Sequence, residues 1–224
     1  MHTVPMVEMD LIMQGHLDHV VNSLVNETRG ATDRETIRGL VYEAYEEIAA
    51  DAKFDQFIPI LTLRQARLLL EMRERLSGKR QKQAESVLIV CGTNAGRSQV
   101  AAALLRFYAP GLLDVVSAGQ NPREGINEDA VAYMRERGVE LTDYPKRLRT
   151  EYIQLADHII FAGSNEADVP EDKDVERWPI PHTTGLDRDA LEDAVRMIDD
   201  RVRGFLGRVL PQAEIPPSIL EVRA

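Results

Sequence analysis

The stretch Ser86–Ser98, with the sequence SVLIVCGTNAGRS, decides the fold of this chain and contains its only cysteine, Cys91. An apolar, β-branched run ends at Cys91, and a short loop with glycines and an asparagine follows. The alanine-rich segment 99–105 (QVAAALL) then favours a helix. These signals predict a buried strand, a tight loop and a helix, in that order along the chain.

The predicted loop places the Cys91 thiol at the N-terminus of the next helix. Backbone N–H groups and the positive end of the helix dipole favour the nucleophilic thiolate there. The same N–H groups form a concave nest for a tetrahedral phosphate or arsenate, and the planar guanidinium of Arg97 can bind two of its oxygens. The predicted binding residues are Gly92, Thr93, Asn94, Ala95, Gly96 and Arg97. The alternative is that Cys91 is simply a small buried side chain at the end of a strand.

This loop and four further motifs occur between residues 86 and 210 in an order that is typical of one protein family. They are the run 87–105 (VLIVCGTNAGRSQVAAALL), Val116–Gly119 (VSAG), the segment 127–138, Tyr144–Leu148 and His158–Phe161. In this order they resemble the low-molecular-weight protein tyrosine phosphatase superfamily, and more closely its arsenate reductase branch. The resemblance implies that the catalytic domain acts on an oxyanion with a cysteine nucleophile.

Strand-like and helix-like segments alternate through the second half of the chain. The predicted strands are Val87–Val90, Val115–Ser117, His158–Phe161 and Arg177–Ile180. Helices are predicted over Gln99–Tyr108 and Asn127–Arg137, and a long final helix has an apolar face from Leu191 to Val209. Such alternation indicates right-handed crossovers and a parallel sheet that is covered on both sides. We therefore predict an α/β fold with a parallel four-stranded sheet and helices on both faces.

The composition of the chain predicts two domains. Residues 1–76 carry helical apolar stripes and predict a small three-helix bundle, whereas residues 86–224 form the predicted phosphatase- or arsenate reductase-like domain. The polar residues 77–85 between them have the composition of a linker. The bundle could dock on the catalytic domain, form a homo-oligomer or bind a partner. The alternative is a folded appendage whose apolar stripes are simply core.

Two local signals set helix starts within the bundle. The sequence Thr32–Glu35 (TDRE) predicts a capping box in which Thr32 caps the second helix and Glu35 reaches back to it. The third helix is predicted from Leu61 to Leu76, where apolar residues recur at helical spacing.

Composition and charge exclude several classes of partner. The 224 residues carry a net charge of −10 with a pI near 5.1, which argues against nucleic acid as a partner. No apolar run is long enough to span a bilayer and no signal-peptide pattern is present, so a cytoplasmic protein without membrane contact is predicted. A single cysteine excludes an intrachain disulfide and a cysteine-rich metal cluster. Neither a metal site nor a bound cofactor is predicted.

The resemblance implies a reaction in which the Cys91 thiolate attacks phosphorus or arsenic. The N–H groups of the loop and Arg97 then stabilise the oxygens of the transition state. Ser98 is suited to donate a hydrogen bond to the thiolate, and Asn94 is suited to hold an unusual backbone conformation. The predicted catalytic residues are Cys91, Arg97, Ser98 and His182.

The group that protonates the leaving oxygen is where this chain departs from the family, which uses an aspartate in an Asp-Pro step. The loop after Trp178 has the sequence PIPHTTGLD over residues 179–187, and His182 stands where the aspartate belongs. A histidine can donate a proton near neutral pH. Asp187 and Asp189 are alternatives, although Asp187 also has the pattern of a helix N-cap. His182 could also be an ordinary histidine of a surface loop.

The number of cysteines separates the candidate functions. Thioredoxin-coupled arsenate reductases of the family use two further cysteines after the third strand, whereas this chain has AGSNEAD over residues 162–168. The leading hypothesis is an arsenate reductase whose reductant is an external thiol, either a small molecule or a redox protein. The second is a phosphatase that acts on phosphotyrosine or a small aryl phosphate through a cysteinyl-phosphate. The third is a catalytically weak oxyanion-binding or interaction module.

Overall fold

The computed structural model describes residues 11–50, 55–123, 125–163 and 167–221. The chain forms two compact units, Met1–Arg80 and Gln81–Ala224. The boundary between these units lies inside the segment 77–85, for which the sequence predicts a linker. Within the described residues, no helix is both long enough and apolar enough to cross a lipid bilayer.

The first unit is a bundle of three helices, which confirms the predicted architecture of this region. Helix α1 spans Leu11–Thr28, α2 spans Arg34–Ala49, and α3 spans Ile58–Leu76 after a short 3-10 turn at Asp55–Phe57. Each helix contributes one apolar stripe to a shared core. That core consists of Leu17, Val20, Val21, Leu24, Ile37, Leu40, Val41, Ala44, Ala66, Leu69 and Leu70. Its burial stabilises the helices, since most helical stability in proteins comes from the packing of an apolar face.

The residue that caps α2 differs from the prediction. Asp33 is the N-cap, and its carboxylate accepts hydrogen bonds from the backbone N–H and the hydroxyl of Thr36, each at 2.8 Å. The hydroxyl of Thr32 instead donates to Glu74 of α3 at 3.1 Å. The prediction of Thr32 was wrong because Thr and Asp are both good caps and stand side by side here. The choice depends on the contact of Thr32 with α3, which the local sequence does not contain.

The second unit is an α/β domain with four parallel strands, which confirms the predicted fold class. The strands are β1 Glu85–Cys91, β2 Leu113–Gly119, β3 His158–Ala162 and β4 Asp174–Trp178. The helices are α4 Arg97–Tyr108, α5 Glu128–Arg135, α6 Thr150–Leu155 and α7 Arg188–Val209. The strand order is β2-β1-β3-β4, so β1 is central and is buried from its second residue to its last.

Strand β4 lies earlier in the chain than the sequence predicts. It ends at Trp178, two residues before the predicted end at Ile180, and it begins at Asp174. Pro179 and Pro181 have no N–H group for the sheet ladder, which disfavours continuation of the strand past Trp178. The N–H of Ile180 turns back to the carbonyl oxygen of Trp178 at 2.8 Å. Residues 179–187 therefore form a loop, here called the β4–α7 loop.

Several helix boundaries also differ from the prediction by one to three residues. Helix α3 begins at Ile58, three residues before the predicted start, because Pro59 fits the first turn of a helix. Helix α4 begins at Arg97, within the loop motif itself. Helix α5 starts one residue later than predicted because Asn127 is its N-cap. Helix α6 has only six residues, too few for a periodic pattern, and it is not predicted by the sequence.

The parallel strands bring their carboxyl ends to one edge of the sheet. Cys91 pairs in register with Gly119, and Ala162 pairs with Trp178. The residues that directly follow these strand ends therefore lie along the same edge as Cys91. This is the edge at which α/β sheets bind their ligands.

Candidate active site

The Cys91 side chain lies at the end of β1, at the base of residues 92–96, here called the oxyanion loop. It is 1% exposed, and its Sγ atom accepts a hydrogen bond from the backbone N–H of Asn94 at 3.2 Å. The Sγ atom also lies 3.0 Å from the Oγ atom of Ser98, in the first turn of α4. An amide N–H, a hydroxyl group and a helix N-terminus therefore surround the sulfur. All three stabilise the negative charge of a thiolate.

Asn94 connects the oxyanion loop to its surroundings through both ends of its amide. Its φ of +47° is in the left-handed region, which asparagine tolerates better than most residues. Its Oδ1 accepts a hydrogen bond from the backbone N–H of Lys146 at 2.7 Å, and its Nδ2 donates to the Oγ of Ser98 at 2.8 Å. The serine oxygen can accept that bond and still donate its own proton to Cys91, and it is the donor of this pair when the sulfur is a thiolate, because a thiolate has no proton to give.

A buried ion pair supports the loop behind Asn94. The ammonium group of Lys146, which is 4% exposed, donates to Asp143 at 2.6 Å. Burial by itself would raise the pKa of Asp143, but Lys146 and Arg106 outweigh it and hold that pKa below its ordinary value. Removing one partner would leave a buried charge, which is strongly destabilising. The motif Tyr144–Leu148 includes Lys146, but the contact with Asn94 is not predicted by the sequence, because the two residues are 52 positions apart.

The segment that follows β2 runs along the oxyanion loop and binds its carbonyl groups. The bonds go from the N–H groups of Asn121, Arg123 and Asn127 to the carbonyl oxygens of Gly92, Thr93 and Ala95, at 2.8, 3.0 and 2.7 Å. Gly119 permits this close approach, because a Cβ there would lie 2.7 Å from the backbone nitrogen of Asn94. With its carbonyl groups bound on this side, the loop keeps the arrangement that an anion-binding nest of N–H groups requires.

Arg97, the first residue of α4, is held next to the ends of β3 and β4. Its side chain is almost completely buried, and its Nη1 donates to the carbonyl oxygen of Ile180 at 3.1 Å. The guanidinium packs against Gly163, whose φ is +114°, and a Cβ at that position would lie 2.0 Å from Nη1. Gly163 is therefore needed for Arg97 to reach its place. A guanidinium has five N–H donors, so the bond to Ile180 leaves others for the oxygens of an anion.

His182 is exposed in the β4–α7 loop, in the electrostatic field of two arginines. Partial removal from water lowers the pKa of its ring below the ordinary value, and the positive charges of Arg97 and Arg123 lower this pKa further. The loop of the predicted acid is attached to the arginine predicted to bind the oxyanion, because Arg97 bonds to the carbonyl oxygen of Ile180, two residues before His182. Arg123 is not among the residues predicted from the sequence. The sequence indicates it only by a positive charge at position 123, shortly after the VSAG motif.

The other titratable groups considered for the site have different surroundings. Asp187 is the N-cap of α7, as the sequence predicts, and its carboxylate accepts the backbone N–H of Ala190 at 2.9 Å. Asp189 is exposed in the first turn of the same helix. No group of three or more His, Cys, Asp or Glu side chains in the described ranges is arranged to hold a metal ion.

Comparison with known proteins relates the region around this site to one family. The model of the family described as low molecular weight phosphotyrosine protein phosphatase matches residues 86–214, more than half of the chain. A Halobacterium salinarum protein named "Putative arsenate reductase" is 25% identical over 120 residues, which cover 50% of this chain and 84% of that protein. The protein-arginine-phosphatase of Geobacillus stearothermophilus is 35% identical over 95 residues, which cover 42% of this chain and 62% of that enzyme.

A solved structure extends the likeness to the N-terminal unit. The thioredoxin-dependent arsenate reductase of Corynebacterium glutamicum matches with a TM-score of 0.77 and 29% identity. The match covers 89% of this chain and 98% of that one. Because Gln81–Ala224 makes up less than two thirds of the chain, the match includes residues of the helical unit as well.

Proposed function

Because the chain belongs to the low molecular weight phosphotyrosine protein phosphatase family, we propose that it is an arsenate reductase whose electrons come from an external thiol. The observation that carries this proposal is the environment of the Cys91 sulfur. A hydroxyl oxygen at 3.0 Å and an amide nitrogen at 3.2 Å contact it at the base of the oxyanion loop. A sulfur held in this way is suited to attack a tetrahedral oxyanion. The similarity to an arsenate reductase over 89% of the chain supports arsenate as the substrate.

The first step transfers arsenate to the enzyme. The Cys91 thiolate attacks the arsenic of hydrogen arsenate, so that a sulfur–arsenic bond forms and the arsenic–oxygen bond opposite to it breaks. The leaving hydroxide takes a proton from His182 and departs as water. The N–H groups of the oxyanion loop and the guanidinium of Arg97 stabilise the remaining oxygens. Arsenic stays pentavalent in this step.

The second step is the reduction, and it needs a thiol from outside the chain because Cys91 is the only cysteine. The external thiolate attacks the sulfur of Cys91. A sulfur–sulfur bond forms, and the sulfur–arsenic bond breaks with its electron pair left on arsenic, which departs as trivalent arsenite. A second thiol then releases Cys91 from the mixed disulfide. Two thiols are therefore oxidised to one disulfide for each arsenate that is reduced.

A phosphatase is the second candidate, and the comparison with a phosphatase favours it. The protein-arginine-phosphatase of Geobacillus stearothermophilus is 35% identical over its matched region, compared with 29% for the Corynebacterium glutamicum arsenate reductase. Hydrolysis of a phosphoryl group needs a thiolate, an anion-binding loop, an arginine and a proton donor, with water in place of the external thiol. Cys91 would then form a cysteinyl-phosphate as the bond from phosphorus to the leaving group breaks and that group takes a proton from the acid. Water would next break the sulfur–phosphorus bond and release inorganic phosphate.

One set of assays separates these functions. The full-length chain is given arsenate together with β-mercaptoethanol, glutathione, or thioredoxin with its reductase and NADPH, and arsenite and disulfide are measured. Hydrolysis of p-nitrophenyl phosphate is followed in parallel. The proposal expects one disulfide for each arsenite with at least one thiol, and neither product from Cys91→Ser. With thioredoxin, its reductase reduces the disulfide again, so one NADPH consumed for each arsenite is the expected measure. Hydrolysis of the aryl phosphate without arsenite from any thiol would establish the phosphatase. Protection of Cys91 from alkylation by arsenate, with no turnover of either substrate, would leave an oxyanion-binding module.

A further inference from the structure

Asn127 makes hydrogen bonds to three separate parts of the site. Its backbone N–H donates to the carbonyl oxygen of Ala95 in the oxyanion loop at 2.7 Å. Its Oδ1 caps α5 by accepting the N–H groups of Asp129 and Ala130, at 2.9 and 3.2 Å. Its Nδ2 donates to the carbonyl oxygen of Thr183 at 2.8 Å. One residue therefore joins the oxyanion loop, α5 and the β4–α7 loop.

The backbone on both sides of His182 is attached to the residues around Cys91. Thr183 is 3% exposed, and its hydroxyl oxygen fills the space beside Gly96, where a Cβ would lie 2.0 Å from it. Two residues before His182, the carbonyl oxygen of Ile180 accepts a hydrogen bond from Arg97. The imidazole ring itself remains exposed, so its position depends on how firmly these two attachments hold the backbone.

Capping α5 does not by itself call for an asparagine. Asp and Ser cap helices about as well as Asn does. Only a side-chain amide can accept the N–H groups of the helix with its oxygen and at the same time donate to a distant carbonyl group with its nitrogen. We propose that Asn127 is a positioning residue, whose amide holds the Thr183 carbonyl and thereby sets the distance from His182 to the oxygen that leaves the substrate. This inference rests on the acid role of His182 in the function proposed above.

Two variants remove the amide donor and keep an oxygen for the cap. Asn127→Asp cannot donate to Thr183, and the side chain of Asn127→Ser is too short to reach it. We expect both to lower kcat by about 10- to 100-fold with KM changed less than about twofold, since a small displacement of a catalytic group has effects of this size. In a His182→Ala background they should have no further effect, because the group they position is gone.

The matched control is Asp33→Asn, an exchange of carboxylate and amide at the N-cap of α2. It should leave kcat and KM unchanged. Equal far-UV circular dichroism of all variants shows that the helical content is retained. A kcat of Asn127→Asp and Asn127→Ser equal to that of the native chain overturns the proposal, and so does a full additional loss in the His182→Ala background.

A measurement that does not depend on turnover tests the same placement. The NMR signal of the His182 ring, assigned by its absence in His182→Ala, is recorded for the full-length chain with and without inorganic phosphate. We expect phosphate to shift this signal in the native chain and to shift it clearly less in Asn127→Ser, although phosphate still protects Cys91 from alkylation in both. An equal shift in both proteins, or no shift in the native chain, overturns the proposal. A shift as expected without any arsenite production would refute the proposed reaction and leave the positioning role standing.

Discussion

The Oγ atom of Ser98 lies 3.0 Å from the Sγ atom of Cys91, and the same oxygen accepts the side-chain amide of Asn94 at 2.8 Å. When Cys91 is a thiolate, the hydroxyl of Ser98 is the donor of this pair, because the sulfur then has no proton to give. Ser98 therefore stabilises the thiolate in preference to the thiol. A hydrogen bond to a charged group contributes about 1.5–3 kcal/mol, and water does not compete for this one because both side chains are buried.

Ser98→Ala should therefore slow the alkylation of Cys91 by iodoacetamide at neutral pH by about tenfold or more, because about 1.4 kcal/mol corresponds to a factor of ten. Turnover should fall by a similar factor. The control is Ser117→Ala. It removes a hydroxyl that is equally buried but that contacts Asp143, at 3.4 Å, and not the sulfur of Cys91. Alkylation of Ser98→Ala at the native rate would mean that the helix N-terminus and the loop N–H groups are sufficient to activate the thiol.

Arg97→Lys should weaken the binding of oxyanions although it keeps the positive charge. An ammonium group cannot bind two oxygens in parallel while it also holds the carbonyl group of Ile180, so we expect the affinity for phosphate to fall by about 10- to 100-fold. The affinity is measured as protection of Cys91 from alkylation. Arg123→Lys makes the same exchange at an exposed position and should change the affinity for phosphate less than about twofold. Native affinity in Arg97→Lys would show that charge alone binds the anion.

Gly163→Ala should displace Arg97 and destabilise the domain. A methyl group there would meet Nη1 of Arg97 at 2.0 Å, and the φ of +114° is itself strained for any residue but glycine. Gly111→Ala is the control, because Gly111 has a φ of +74° and an added methyl group would meet nothing within 4 Å in its open turn. Both variants should lose about 1–2 kcal/mol in urea unfolding from backbone strain, but only Gly163→Ala should also lose phosphate affinity. An equal loss of affinity in both would exclude the steric explanation.

The parts of the structure that the sequence predicts best are those with a local signal. Cys91, Asn94, Arg97 and Ser98 all lie within one strand–loop–helix unit, so a single loop geometry accounts for the contacts among them. The four parallel strands follow from apolar runs that alternate with helices, and the structure confirms them. The catalytic roles of these residues remain predictions for the experiments described above.

Contacts between distant segments had no comparable signal. Asn127 bonds to Thr183, 56 residues away, and Asn94 bonds to Lys146, 52 residues away. A periodic pattern reports the neighbours of a residue along its own strand or helix, whereas these contacts depend on how separate loops meet at one edge of the sheet. The need for glycine at position 163 also had no local signal, because it comes from the side chain of Arg97 and not from the neighbours of Gly163 in sequence.

The pH dependence of turnover tests the acid role of His182. An acid must carry its proton to act, so activity is lost as the pH rises through its pKa. Partial burial and then the charges of Arg97 and Arg123 lower that pKa in the free enzyme. The alkaline limb of kcat/KM should therefore lie below the ordinary histidine value of about 6.5. A bound oxyanion dianion offsets the two positive charges, so the corresponding limb of kcat should lie at higher pH than that of kcat/KM.

Arg123→Gln supplies the sharpest version of this prediction, because it removes one of the two charges without touching Arg97. The alkaline limb of kcat/KM should move to higher pH, since the protonated ring is then less strongly repelled. The profiles are measured from about pH 4.5 to 8.5 for the native chain, Arg123→Gln and His182→Ala. The His182→Ala profile identifies any limb that belongs to ionisation of the substrate.

Persistence of the same alkaline limb in His182→Ala would assign the proton to another group. A shift to lower pH in Arg123→Gln would contradict the electrostatic cause. Asp187 would be tested next, with a check of α7 by circular dichroism because its loss also removes the N-cap of that helix.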